Sequence, residues 1–108
     1  MLLSTTDTLQ GSCNDEYHGV VTGETISGAN VVRDVMATVT DYVGGRSGTY
    51  EEVLENARQL TLNEISDRAQ LLGANAIVGM SFDYETIGGR GAMLMVTATG
   101  TAVSISKD

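Results

Sequence analysis

The segment from Thr49 to Gly73 reads TYEEVLENARQLTLNEISDRAQLLG, and its periodicity decides what kind of molecule this is. Thr49 followed by Glu52 matches a capping box, in which each side chain accepts from the other's backbone N–H at a helix start. Glu51 and Glu52 favour the positive helix end, and Gly73 supplies a stop after the last turn. At 100° per residue, Tyr50, Val53, Leu54, Ala57, Leu60, Thr61, Ile65, Leu71 and Leu72 fall in one broad stripe. Glu55, Gln59, Asn63, Ser66 and Gln70 fall opposite. The pattern predicts one long helix of about 33 Å at 1.5 Å per residue, and a helix apolar on one side needs a layer to lie on.

That layer follows directly. Ala76, Val78, Met80, Phe82 and Tyr84 alternate with Ile77, Gly79, Ser81, Asp83 and Glu85, which is the period of a strand with one apolar face. Gly88-Gly89-Arg90-Gly91 reads as a turn. Met93, Met95, Thr97, Thr99, Thr101, Val103 and Ile105 then alternate with Leu94, Val96, Ala98, Gly100, Ala102 and Ser104, completing a long β-hairpin. Near Met93 to Val96 both faces are apolar or small, so cover is expected on both, one side of it from another subunit.

Upstream the signals are shorter. Leu2 to Leu9 alternates weakly and reads as a short strand, bounded by a polar loop from Gln10 to Glu16. Tyr17 to Ile26 is rich in β-branched residues and reads as a strand in which Gly19 and Gly23 let another backbone come close. From Ala29 to Val43, Val31, Val32, Val35, Met36, Val39, Tyr42 and Val43 recur at helical spacing, with Asn30 able to cap the start and Gly44 and Gly45 ending it. The expected fold is a single α+β domain over residues 1–108, two layers with an antiparallel sheet.

Composition narrows the function classes. The 108 residues are 42% hydrophobic but only 5% aromatic, so the core must be aliphatic. A chain this size buries about two-thirds of the surface its unfolded form exposes, which makes self-association a source of further burial. With 14 acidic and 6 basic residues the formal net charge is −8, so nucleic acid and anionic membrane are poor partners and cations suit the overall field better. Cys13 is the sole cysteine, which excludes an internal disulfide and any CxxC motif. With no long apolar run and no visible export signal, the cytoplasm is the expected location.

Several constellations carry candidate chemistry. Gly44-Gly45-Arg46-Ser47-Gly48 would point consecutive N–H groups at one spot before a helix and so suit a small anion, although no P-loop Lys-Ser/Thr follows. The plainer reading is an inter-helix turn. Cys13 and His18, both in the expected loop region, offer a thiolate and an imidazole to a soft or divalent metal ion. Two ligands are too few for a closed site. Glu24, Asp83 and Glu85 would bind a hard cation or act as an acid/base pair if the first long strand joins the sheet. Such residues more often solvate a sheet end. Glu64 and Arg68, four apart on the apolar stripe, should pair with each other or across a subunit boundary. Met36, Met80, Met93 and Met95 read as core or interface filler rather than a thioether site. No nucleophile, base and orienting group stand in a recognisable arrangement, so a non-enzymatic protein is expected.

Val20-Val21-Thr22-Gly23-Glu24, Gly28-Ala29-Asn30, Gly44-Gly45-Arg46-Ser47-Gly48 with Tyr50-Glu51, Ala57-Arg58, Gly73-Ala74-Asn75-Ala76-Ile77-Val78-Gly79, Asp83-Tyr84-Glu85, Met93-Leu94-Met95-Val96 and Gly100-Thr101-Ala102-Val103 resemble, in that order, the YbjQ-like family of small bacterial proteins. The resemblance implies a dodecin-like β-α-β-β subunit in a homopentameric ring, joined with the help of short extra strands. It also implies a heavy-metal-binding label with no enzymatic role attached. Ser12 to His18 lie outside the matching motifs, so the label lends Cys13 and His18 no support. Three function classes follow: an oligomer binding a metal or small ligand, a structural or adaptor ring engaging another protein, and an enzyme with an inter-subunit site built from Arg46, Asp83 and Glu85.

Overall fold

A computed structural model describes residues 1–27, 48–87 and 93–107. The helix expected over Ala29–Val43 and the turn Gly88-Gly89-Arg90-Gly91 lie outside the described residues. Within them the elements are β1 (Leu2–Leu3), β2 (Ser12–Ser27), α1 (Gly48–Leu71), β3 (Ala76–Ile87) and β4 (Met93–Lys107). The four strands form one sheet in the order β1-β3-β4-β2. The central strand β4 is antiparallel to both long neighbours, so β2 and β3 run the same way. Helix α1 is therefore the crossover between two parallel strands, and β4 inserts between them as the second arm of the hairpin.

The sheet is mixed rather than wholly antiparallel. β1 runs parallel to β3, with Leu2 opposite Ala76 and Leu3 opposite Ile77. Its pairing is shorter than the expected strand from Leu2 to Leu9 because β3 bulges beside it. Beyond Leu3 the chain follows the bulge instead, the Met80 N–H donating to the Ser4 carbonyl at 3.0 Å and the Gly79 N–H to that of Thr6 at 2.8 Å.

The bulge also corrects the expected alternation of β3. Val78 pairs with Thr101 but Ser81 with Thr99, so Gly79 and Met80 together oppose Gly100. Gly79 has φ 61, a left-handed conformation that β-branched residues avoid. One extra residue inverts every later side chain. Ala76 and Val78 thus face away from the helix and cluster with Val103 beneath Leu9 and Ile105. Ile77 and Met80 join the helix-side core, and Phe82 packs against it. Gly100 makes this possible: a Cβ there would stand 2.6 Å from Ile77 Cγ2 and 2.9 Å from Met80 Cγ.

α1 covers one face of the sheet. Ala57, Thr61, Ile65 and Ala69 are buried against Val21, Leu94, Val96, Ala98 and Ala102. The helix reaches closest at Gly23, where a Cβ would lie 2.8 Å from the Thr61 carbonyl oxygen and 3.0 Å from Ile65 N. This is the close backbone approach that a glycine in that strand implied. Thr61, the buried polar residue of this core, has its Oγ1 2.8 Å from the Ala57 carbonyl and 2.8 Å from Thr25 Oγ1. A hydroxyl so placed does not carry the cost of an unmet hydrogen bond. The stripe is narrower than its sequence, since Leu60, Leu71 and Leu72 are exposed.

Candidate functional site

The open face of the sheet gathers the acidic candidates. Glu24 on β2 and Asp83 on β3 both pair with Thr97 of β4, so the three residues form one row on one face. In the next row on that face, Ile26 and Glu85 flank Met95. Strand spacing sets Glu24 and Asp83 about 10 Å apart at the backbone, with Asp83 and Glu85 about 7 Å apart along β3. A shallow hollow of about 390 Å³ is lined by Asp83, Tyr84, Glu85, Met95 and Thr97. All three carboxylates are exposed. The structure thus places them on a common surface while leaving Glu24 a strand away from the other two.

Cys13 and His18 require a correction. Within the polar run from Gln10 to Glu16, expected as a loop, Ser12 to Glu16 form the first part of β2. It pairs with the last residues of β4, Ser12 opposite Lys107 and Cys13 opposite Ser106. An edge strand needs only backbone partners, and β4 is long enough to supply them, so polar side chains do not prevent pairing. Register shifts leave Asp15 and His18 as extra residues. At the second bulge His18 Nε2 lies 2.7 Å from Ser104 Oγ, and Ser104 Oγ also donates to the Gly73 carbonyl at 3.3 Å. Cys13 is exposed, opposite a residue two places farther along β4. Gly44, Gly45, Arg46 and Ser47 lie outside the described residues, and Gly48 opens α1.

The Glu64 and Arg68 pairing holds as expected. Arg68 Nη2 and Glu64 Oε1 are 2.5 Å apart, and Arg68 Nη1 donates to the Thr22 carbonyl at 2.6 Å. The pair is only partly covered and ties the helix to β2. Met80 is in the core, while Met93 and Met95 are half-buried.

A second hollow was not anticipated. About 430 Å³ in volume, it lies between the first half of α1 and the far end of the hairpin, lined by Leu54, Arg58, Tyr84, Glu85, Thr86 and Leu94. Arg58 Nε donates to the Tyr84 hydroxyl at 3.0 Å and Nη1 to Glu55 Oε2 at 2.7 Å. The guanidinium carbon stands 5.8 Å from the Tyr84 ring centroid, within range of a cation–π contact. Phe82 stacks with Tyr84 at 6.4 Å between centroids. The hydrogen bond to Tyr84, followed by the charge interactions with Tyr84 and Glu55, raises the Arg58 pKa above its ordinary value. The result is a fixed cation beside two leucines. The available signal was that Arg58 and Tyr84 both fall within motifs of the family resemblance.

Residues 1–106 match the profile of the YbjQ family, described as "Putative heavy-metal-binding". The chain belongs to this YbjQ-like family. Among solved structures it is similar to a Pediococcus pentosaceus protein of unknown function from the DUF74 family, with a TM-score of 0.58 and 19% identity over 98% of each chain. At that identity the likeness is one of fold. Among the described residues, no helix is long and apolar enough to cross a membrane.

The family description can be tested against the donors present. Soft and borderline ions select thiolate and imidazole, in sets of three or four. This YbjQ-like chain has one cysteine and one histidine in all, and among the described residues no three His, Cys, Asp or Glu side chains gather as a metal site. The described residues of one chain do not fit a closed heavy-metal centre.

Proposed function

We propose that this YbjQ-like protein is a non-enzymatic homo-oligomer, a pentameric ring of dodecin-like subunits, whose ligand is a small molecule or a cation held between protomers. The observation that carries this reading is the part of the sheet's outer face that Leu9 and Ile105 do not cover. Ile26 is 54% exposed beside half-buried Met95, and Val20, 73% exposed, stands on the same face opposite Thr101. Together with the edge of β2, these exposed apolar side chains offer a surface for association. The subunit's proportions agree, since its radius of gyration is 17.0 Å against about 13 Å for a compact domain of about 100 residues. Among the described strands β2 is also a sheet edge, 16 residues long, and long edges pair readily with other chains.

Assembly would bring Glu24, Asp83 and Glu85 of each copy against a neighbour, where cavities of mixed acidic and apolar lining can form. Light scattering with native mass spectrometry tests the proposal. The expected result is a particle of five subunits, and a stable 11.4 kDa monomer at micromolar concentration refutes it.

A further inference from the structure

We infer that the hollow between α1 and the far end of the hairpin binds a small carboxylate with an aliphatic tail, its charged end received by Arg58 and Tyr84. At about 430 Å³ the hollow falls within the size range of small-ligand pockets, which join apolar walls to a few placed polar groups. Leu54 and Leu94 supply the apolar wall, and Arg58, Tyr84 and Thr86 bring the polar groups. Leu54 and Arg58 stand one turn apart on α1, so both meet the same ligand. The β3 bulge completes the arrangement. Its extra residue moves Tyr84 to the helix side of the sheet, where the hydroxyl meets Arg58.

Hydrogen-bond accounting sets the charge of the ligand. Arg58 Nε donates to the Tyr84 hydroxyl at 3.0 Å and Nη1 to Glu55 Oε2 at 2.7 Å. Held at two nitrogens, the guanidinium is oriented before a ligand arrives, which lowers the entropy cost of binding. Among the described residues nothing accepts from Nη2, and the Tyr84 hydroxyl, which accepts from Nε, keeps a proton to donate. Two donors on adjoining side chains suit the two oxygens of a carboxylate. The neighbouring acids do not reverse this. Glu55 is exposed and is bonded to Nη1, an exposed pair of the kind worth little, and Glu85 stands beside Met95 on the open face, turned away from α1. An ammonium ligand would meet the guanidinium's like charge, and a neutral one would forgo a charge-assisted bond. The site lies within one chain and does not depend on the assembly proposed above.

The test titrates hexanoate, hexanamide and hexylammonium into isotope-labelled full-length protein, followed by assigned amide NMR. Hexanoate should give saturable shifts centred on Leu54, Arg58, Tyr84 and Leu94. Its affinity should exceed that of either other probe by about tenfold or more, the ratio expected of one charge-assisted hydrogen bond. Arg58→Gln should cut hexanoate affinity about tenfold, and Tyr84→Phe, which keeps the ring, about fivefold. Absence of saturable shifts at Leu54 and Leu94, an equal response to all three probes, or unchanged hexanoate affinity in Arg58→Gln overturns the inference. Should Arg58→Gln fail to fold by far-ultraviolet dichroism, Tyr84→Phe decides by the same measurement: a fall in hexanoate affinity supports the site and no change removes it. Light scattering on the same samples reads the assembly separately, so hexanoate binding by a monomer upholds this site while refuting the pentamer.

Discussion

The two faces of the sheet are built from the same strands but are covered differently. On β4, Leu94, Val96, Ala98, Gly100 and Ala102 are buried beneath α1 or the β3 bulge, while Met93, Met95, Thr97, Thr99 and Thr101 stay half-buried. The helix face is closed by direct backbone approach at Gly23, which leaves no freedom for a larger residue. The open face carries threonines, exposed carboxylates and isolated apolar residues that tolerate water. One face therefore holds the domain together, and the other is the one proposed to associate.

Substitutions on the two faces should separate these roles. The largest effect is expected from Ile65→Ala. Ile65 is fully buried at the centre of the helix face, and its truncation should cost about 2–5 kcal/mol in denaturant unfolding. A cost below about 1 kcal/mol would mean that the helix face is not the subunit's core. Next is Gly23→Ala, whose new Cβ would meet helix backbone rather than a movable side chain. It should cost about 1–3 kcal/mol, and a neutral result would mean that α1 sits farther from β2 than described. Thr61→Val removes the hydroxyl between Ala57 and Thr25 and should cost about 1 kcal/mol, read from the urea midpoint. The smallest effect on folding is expected on the open face. A Val20→Ser and Ile26→Ser double variant should keep its far-ultraviolet dichroism, with about 0.5 kcal/mol or less lost per site within a subunit. Its mass by light scattering should nevertheless fall toward that of one chain. Unfolding by this variant, or an unchanged particle mass, would erase the distinction between the faces.

Much of the fold could be read before any coordinates. The helix over Gly48–Leu71 was legible because its apolar spacing repeats over many turns. The hairpin followed from strict alternation on β4, where no bulge interrupts the period after Met93. Less was legible on β3. Reading Ala76, Val78, Met80, Phe82 and Tyr84 as one face assumed an unbroken period, and Gly79 breaks it. The glycine was visible, but its φ depends on the N-terminal segment bonded to it. Polarity from Gln10 to Glu16 likewise suggested a loop, although strand pairing from Ser12 onward uses backbone groups that composition does not report. For the candidate site, the common face of Asp83 and Glu85 was local information. Glu24, the row-mate of Asp83, depended on which strand lies beside β4.

The amino-acid sequence by itself determined what local spacing can encode: the long amphipathic helix, the hairpin, the aliphatic core and the Glu64–Arg68 pair four residues apart on one helix surface. Tertiary structure alone decided the mixed strand order, the inverted phase of β3, the alignment of Glu24 and Asp83 across Thr97, the Arg58–Tyr84 contact and the hydrogen bond between His18 and Ser104. The physical reason is range. Periodicity acts between residues a few positions apart, whereas register and bulges are set by hydrogen bonds between segments distant in the chain, and a single inserted residue there exchanges the faces of everything beyond it.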